Sequence, residues 1–283
     1  MKIFSKKLLP AWKSKSALRV WRLLPANGVL AVELRDPESK KVAFAGIKID
    51  SGRIIWSTEN DNDYFGNQDT WWMTINTFHK DVLLLQQFVK PDMPTAGKIF
   101  AIDLHNGSLL WQNGELSFLY AKDNSIYGLK RTMTAEEVTA IDLRTGFVTG
   151  VLDSSQMDDP DAPDVAALPG TVLPEPVELP AAEGRYPLKG AVKQIPADAV
   201  SPTLIPISAG KSIAGFYTTS GHDEKGSLLY DSSLFIVDGD GTRLYADNPE
   251  RNVHVPIPDF YFTVDRTLLY VRNSNEIVAV RLD

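Results

Sequence analysis

The chain has 283 residues, 43% hydrophobic and 23% charged, which excludes a wholly disordered or fibrous protein; a chain of this length buries most of its unfolded surface without a disulfide or metal staple. Its formal net charge of -7 opposes phosphate backbones and anionic bilayers, so nucleic acid is not an expected partner. There is no cysteine, which removes disulfides, thiolate nucleophiles and zinc–thiolate sites together.

The N-terminal stretch MKIFSKKLLPAWKSK carries lysines, but its apolar run is only Leu8 and Leu9 before Pro10, far short of a signal-peptide core. No stretch approaches the roughly 20 apolar residues of a membrane span. The expectation is a soluble, cytoplasmic protein.

Beyond the N-terminus the chain reads as short strands in a recurring order. First strands are predicted at Ala17 to Leu24, Trp72 to Phe78, Leu116 to Ala121, Thr203 to Ile207 and Phe260 to Val264. Each is followed by a polar turn and an apolar strand, as in ANGVLAVEL from Ala26, HKDVLLLQQ from His79 and DRTLLYVRN from Asp265. A third strand, a glycine turn and a fourth strand complete each unit: GIKIDSGRIIW ends at Trp56, IFAIDLHNGSLLW at Trp111, AIDLRTGFVTG at Gly150 and FIVDGDGTRLY at Tyr245. The turn glycines are Gly52, Gly107, Gly146 and Gly241. Ile47, Ile102, Ile141 and Ile236 stand five residues before them, and Trp56, Trp111, Gly150 and Tyr245 four residues after.

A fifth unit begins with AVRLD at the C-terminus and lacks its turn and last strand. The N-terminal LLPAW, ending in Trp12, is predicted to supply that strand. Four-stranded units at this period are those of propeller blades, because one blade cannot cover both its faces alone. The expected fold is an all-β, single-domain, five-bladed β-propeller, with six blades as the alternative if Tyr186 to Ile195 forms a degenerate blade. The spacing from Ile141 to Ile236 marks an insertion at about residues 154–201, rich in proline and therefore poor in strand.

The pattern AIDLxxGxxxW, whole in Ala101 to Trp111 and partial in Ala140 to Gly150, resembles the repeats of the pyrroloquinoline-quinone-type β-propeller superfamily. The resemblance covers most of the chain outside the insertion. It implies that Trp56, Trp111 and Trp12 pack between neighbouring blades. Asp103 and Asp142, four residues before their glycines, match the repeat, and Asp103 is expected to cap its turn; Lys48, Val237 and Arg281 depart from the pattern. Quinone-dependent members are larger rings that use calcium, a catalytic aspartate and vicinal cysteines, so this chain is expected to be a non-quinone member with no cofactor.

Four histidines, His79, His105, His222 and His254, show no metal-ligand spacing, and no GxSxG elbow, P-loop or Rossmann fingerprint is present. VDGDG around Asp238, Asp240 and Gly241 reads as a turn, since the remaining ligands of a calcium loop are missing. Asp153, Asp158, Asp159, Asp161 and Asp164 read as a solvated charge run among prolines. No catalytic residue and no metal site are assigned.

In a four-stranded blade the second-to-third and fourth-to-first connections emerge on one face. That places Thr58 to Trp71, Lys90 to Gly97, the insertion and Thr218 to Ser232 together, opposite the glycine turns, and long loops on a rigid scaffold carry recognition. Tyr64, Phe65, Trp71, Trp72 and His222 are the candidate ligand contacts there, aromatic rings among amides and acids being suited to sugars or peptide side chains. The expected function is non-enzymatic binding or scaffolding of a protein, small-molecule or glycan ligand. The alternative is a glycan-acting hydrolase or lyase using carboxylates from two blades.

Overall fold

The computed structural model describes residues 7–61, 63–66, 68–89, 96–131, 136–152, 170–177, 189–207 and 210–283. In chain order they form β1 (Pro10–Lys15), β2 (Arg19–Ala26), β3 (Val29–Asp36), β4 (Lys41–Lys48), β5 (Ile54–Ser57), β6 (Met73–His79), β7 (Val82–Phe88), β8 (Ala96–Asp103), β9 (Leu109–Asn113), β10 (Leu116–Lys122), β11 (Ser125–Arg131), β12 (Glu136–Asp142) and β13 (Val148–Leu152). There follow β14 (Thr171–Val172), β15 (Glu175–Pro176), one helical turn α1 (Lys189–Val192), β16 (Val200–Pro206), β17 (Ser212–His222), β18 (Leu228–Val237), β19 (Arg243–Asp247), β20 (Tyr261–Val264), β21 (Thr267–Arg272) and β22 (Glu276–Arg281). Most of the described residues are in strands, and helix is almost absent.

Five antiparallel sheets result. Three are plain four-stranded meanders, β2-β3-β4-β5, β6-β7-β8-β9 and β10-β11-β12-β13; two have a fifth strand, β15-β16-β17-β18-β19 and β1-β22-β21-β20-β14. The chain divides into two compact units, Leu18–Pro169 with the three plain sheets, and Met1–Ala17 with Gly170–Asp283 holding the other two.

Second and third strands read as nearly continuous apolar runs because both their faces are covered: Val29 to Leu34 in β3, Val42 to Ile47 in β4 and Val82 to Gln86 in β7 are buried throughout. First and fourth strands mix buried with partly and fully exposed positions, as in β2 and β9. In the first unit Phe44, Met73, Ile75, Leu85 and Phe100 build one core; in the second, Ile236, Tyr261, Tyr270 and Val278 build another.

The unfinished last repeat is completed as its sequence implies. β1 pairs antiparallel with β22, Trp12 opposite Ala279 and Lys15 opposite Glu276, and the Trp12 ring is buried. The strand runs three residues further than LLPAW, and Leu8 precedes it, its amide bonded to the Leu244 carbonyl at 2.8 Å.

Two expectations are corrected. Thr218 to Ser232 is not a loop: β17 and β18 pair from Ser212–Val237 out to His222–Leu228, so only residues 223–227 turn, held by Asp223 Oδ1 accepting from the amides of Lys225 and Ser227. Within Tyr186 to Ile195 the described residues give no strand of a sixth blade; Lys189–Val192 is helical. The aspartates at 153, 158, 159, 161 and 164, and most of Lys90 to Gly97, lie outside the described residues.

Candidate functional site

The repeat residues form the joints between sheets. Gly107 and Gly146 have positive φ, +74° and +71°, and the rings of Trp56 and Trp111 lie directly on them; a Cβ at either glycine would come within 2.6 Å of the indole Cγ. Each indole also donates from Nε1, Trp56 to the Leu104 carbonyl at 2.7 Å and Trp111 to the Leu143 carbonyl at 2.9 Å. The tryptophan of one sheet is thereby locked to the turn of the next. Asp103 Oδ1 accepts from the amides of His105 and Asn106, and Asp142 Oδ1 from those of Arg144 and Thr145. Burial pushes the Asp103 carboxyl up, but the Arg144 guanidinium at 2.8 Å and the two amides outweigh it and hold it below the usual carboxylate value.

Gly241 is covered differently. Gly190 of α1 stands where a Cβ would come within 2.7 Å of the Gly241 Cα, Gln194 Nε2 donates to the Gly241 carbonyl, and Arg243 Nε donates to Gln194 Oε1. Asp238 Oδ1 is committed to the amides of Asp240 and Thr242, so VDGDG is a turn. Gly52 turns with φ of +70°.

Of the proposed ligand contacts in the first unit, Tyr64 and Phe65 are taken up by packing between sheets. Phe65 is 7% exposed and wedged edge-on between Phe44 and Phe100, which leaves it no ligand face. Tyr64 packs on it and donates its hydroxyl to the Gly107 carbonyl; burial pushes its phenol up, so it stays a neutral donor. The connection from Thr58 therefore dips between two sheets instead of standing clear of them. His222 ends β17 in the other unit, opposite Leu228. His105 Nε2 lies 3.0 Å from Asp81 Oδ1, binding one turn to another.

Trp71 and Trp72 stand beside a set of locked polar contacts. Asp69 Oδ1 accepts from the Trp71 amide and starts a 3-10 turn over Thr70–Trp72, which sets both indoles at the entry to β6, edge to face at 6.3 Å. Beside them Arg35, at the end of β3, lies between two indoles, 5.5 Å from the Trp21 ring and 5.2 Å from that of Trp71. Its Nη1 donates to the Trp71 carbonyl at 2.8 Å, its Nη2 to the Met73 carbonyl, and its Nε to Glu33 Oε1 at 2.7 Å. Glu33 has no solvent exposure; its Oε2 accepts from Thr74 Oγ1 at 2.8 Å and the Ile75 amide at 2.9 Å. A buried carboxylate is tolerable only when so completely paired.

Trp21 is the exposed end of this stack, 61% exposed. In the β2–β3 register Val20 faces Leu34 and Arg22 faces Glu33, so Trp21 has no partner and forms a bulge. Bulges re-aim side chains, and this one turns the indole out of the sheet while Arg35 holds its inner face. First strands β6, β10 and β16 are also irregular, between Ile75 and Thr77, Phe118 and Tyr120, and Val200 and Thr203; β20 is regular. Sequence reasoning missed Trp21, Arg35 and Glu33. The available signal was Glu33 itself, an acid inside the apolar run VLAVEL, which demands a buried partner.

Cavities lie against the sheets among the described residues. In the second unit one of 420 Å³ is lined by Val172, Ile205, Lys211, Arg266 and Leu282 among others; in the first, one of 240 Å³ lies between Lys80, Asn124 and Arg144. Among the described residues no three carboxylates or imidazoles gather as metal ligands, and no helix is long and apolar enough to cross a membrane.

A family described as a domain of unknown function, DUF4905, matches residues 24–111. No curated protein matches. Among solved structures the chain is similar to a europium-containing methanol dehydrogenase, at 13% identity over 93% of this chain and 47% of that one, with a TM-score of 0.32. It is also similar to BamB from Moraxella catarrhalis, at 12% identity over 92% and 71%, TM-score 0.25. A third is the β-propeller domain of the Trilobed protease from Pyrococcus furiosus, at 7% identity over 90% and 63%, TM-score 0.31. The chain spans about half the length of the first of these.

Proposed function

We propose that the chain is a five-bladed β-propeller of the quinoprotein-like superfamily that binds a ligand without transforming it, and that its site is the Trp21, Arg35 and Trp71 stack where β2, β3 and β6 meet. The observation that carries this reading is Trp21: a large apolar ring turned to solvent by a bulge, backed by a guanidinium that is itself fixed by three acceptors. Sites held on strands by locked neighbours are better pre-organised than sites on loops. Burying the free indole face under a ligand supplies apolar area at little conformational cost.

A glycosidase mechanism needs two carboxylates free to exchange protons with a sugar. Glu33, the acid bonded to Arg35, has both its oxygens committed to Arg35, Thr74 and Ile75. Arrays of peptides and oligosaccharides, read with the native protein and with Trp21→Ala, test the reading. At least one ligand class should bind and be lost on substitution. Equal retention by both proteins of every bound ligand overturns it.

A further inference from the structure

The second unit shows what a first-strand edge in this protein accepts. Gly170–Val177, with the sequence GTVLPEPV, runs beside two of them. Thr171 and Val172 pair with Val264 and Thr263 of β20, and Glu175 and Pro176 pair with Leu204 and Thr203 of β16. The Val177 amide donates to the Pro202 carbonyl at 2.9 Å, and the Asp265 amide to the Gly170 carbonyl at 2.7 Å. Proline belongs in such a segment because its fixed φ keeps the chain extended before it docks, and an edge position does not need its missing N–H. The irregularity of β16 at Ser201 and Pro202 does not prevent addition, since pairing begins at Thr203, directly beside it.

β2 repeats these conditions: among the described residues no strand pairs with its outer edge, and the Arg22 guanidinium reaches past that edge to donate to the Ile75 carbonyl of β6. The bulge of β2 lies at Trp21. Arg22 and Leu23 stand to that bulge as Thr203 and Leu204 stand to the irregularity of β16. We infer that the β2 edge binds an extended, proline-containing peptide of another protein by antiparallel strand addition at Arg22 and Leu23, with a proline ring on the outer face of Trp21. This rests on the binding reading above and names its ligand class. Strand addition supplies affinity through main-chain hydrogen bonds, and an aromatic shelf selects proline, whose pre-extended chain loses little entropy on docking. The Arg35 cation under the inner face holds the indole at the angle it already has, so the shelf forms before the peptide arrives.

The probe is a fluorescein-labelled, end-blocked peptide VLPEPV, followed by anisotropy. Saturable binding is expected, weakened at least tenfold by Trp21→Ala and by replacing both peptide prolines with alanine, and lost when the remaining peptide amides are N-methylated. Amide exchange should slow at Arg22 to Leu24 on addition of the probe. Trp21 is exposed, so its alanine variant should keep the native far-ultraviolet spectrum. No binding, equal binding of the N-methylated peptide, or protection confined to β16 and β20 overturns the inference. Cellohexaose is the second arm: Trp21-dependent binding of the sugar with none of the peptide overturns strand addition and leaves the binding reading standing. No Trp21-dependent binding of either probe, or of any array member, overturns both.

Discussion

The first strands of the two units meet the same problem and solve it differently. In the second unit β16 and β20 are covered by Gly170–Val177, a segment with Val177 buried in the sheet core. In the first unit β2, β6 and β10 end their sheets with no further strand paired to them among the described residues, each is broken by a bulge, and at the β6 bulge side chains stand in for a strand, Arg22 donating to the Ile75 carbonyl and Glu33 accepting from its amide. A bare edge offers unpaired amides to any passing strand, and bulges limit that offer. Of the three bulged residues only Trp21 couples its irregularity to a cation stack, which is why the binding reading rests on it. The turns show a parallel contrast: tryptophan seals Gly107 and Gly146, whereas Gly190 and Gln194 seal Gly241.

The contrast in turns is broken most forcefully at the indoles. Trp111→Ala removes a buried ring and leaves the Leu143 carbonyl without its donor, so urea denaturation should report a loss of about 3–5 kcal/mol. Trp12→Ala, or removal of residues 1–13, should cost a similar amount by stripping β22 of its outer partner. An unchanged urea midpoint in either case refutes the joint. Next comes the base of the Trp21 stack. Glu33→Ala leaves the Arg35 guanidinium, 12% exposed, without its counter-charge, for an expected loss of about 3 kcal/mol. Trp21 quenching by iodide should rise in the same variant, since the cation no longer pins the ring.

The architecture was legible because the repeat anchors are packing residues. Ile102, Gly107 and Trp111 each make a contact that few other residue types can make, so they recur in register while the polar residues drift. The completing strand was legible for a related reason: AVRLD has a third strand's pattern and no turn to follow. The edges were not legible. A bulge is a slip in register between two strands, and nothing in RVWRLLPA distinguishes Trp21 from an ordinary strand aromatic. Phe65 and Trp71 have the same composition around them, yet one fills a gap between sheets and the other borders the stack, because burial depends on where the connection folds. Proline in TVLPEPV argued against a strand, whereas at an edge it is compatible with two short ones.

Smaller effects sharpen the comparison of edges and turns. Val177→Ala shortens the one buried side chain that anchors the covering segment and should lower stability by about 1–2 kcal/mol, with faster amide exchange at Thr203 and Leu204; unaltered exchange there would mean the segment does not protect β16. Asp103 supplies a pH test. Its folded-state carboxyl is held below the ordinary value of 3.8, so its contribution is fully present above that value and is lost as pH falls through the lower folded one. Thermal scans from pH 6 down to pH 2 should show a decline that Asp103→Asn makes shallower, by about 1 kcal/mol at most. Identical slopes for both proteins would remove Asp103 and its Arg144 bond from the account.

The smallest expected effect tests the odd member of the tryptophan series. Gly150 occupies the place of Trp56 and Trp111, it lacks the positive φ of the turn glycines, and a Cβ there meets nothing within 4 Å. An alanine therefore costs no strain in the fold and narrows the unfolded ensemble, for a gain of about 0.5 kcal/mol. At Gly146 the same substitution places a methyl 2.6 Å from Trp111 Cγ at a φ of +71°, and a loss of about 1–3 kcal/mol is expected. Opposite signs at two glycines four residues apart would locate the seal in the turn and the open space in the strand. If both variants lose stability alike, position 150 is packed, and the outer strand of this sheet is as closely covered as its neighbours.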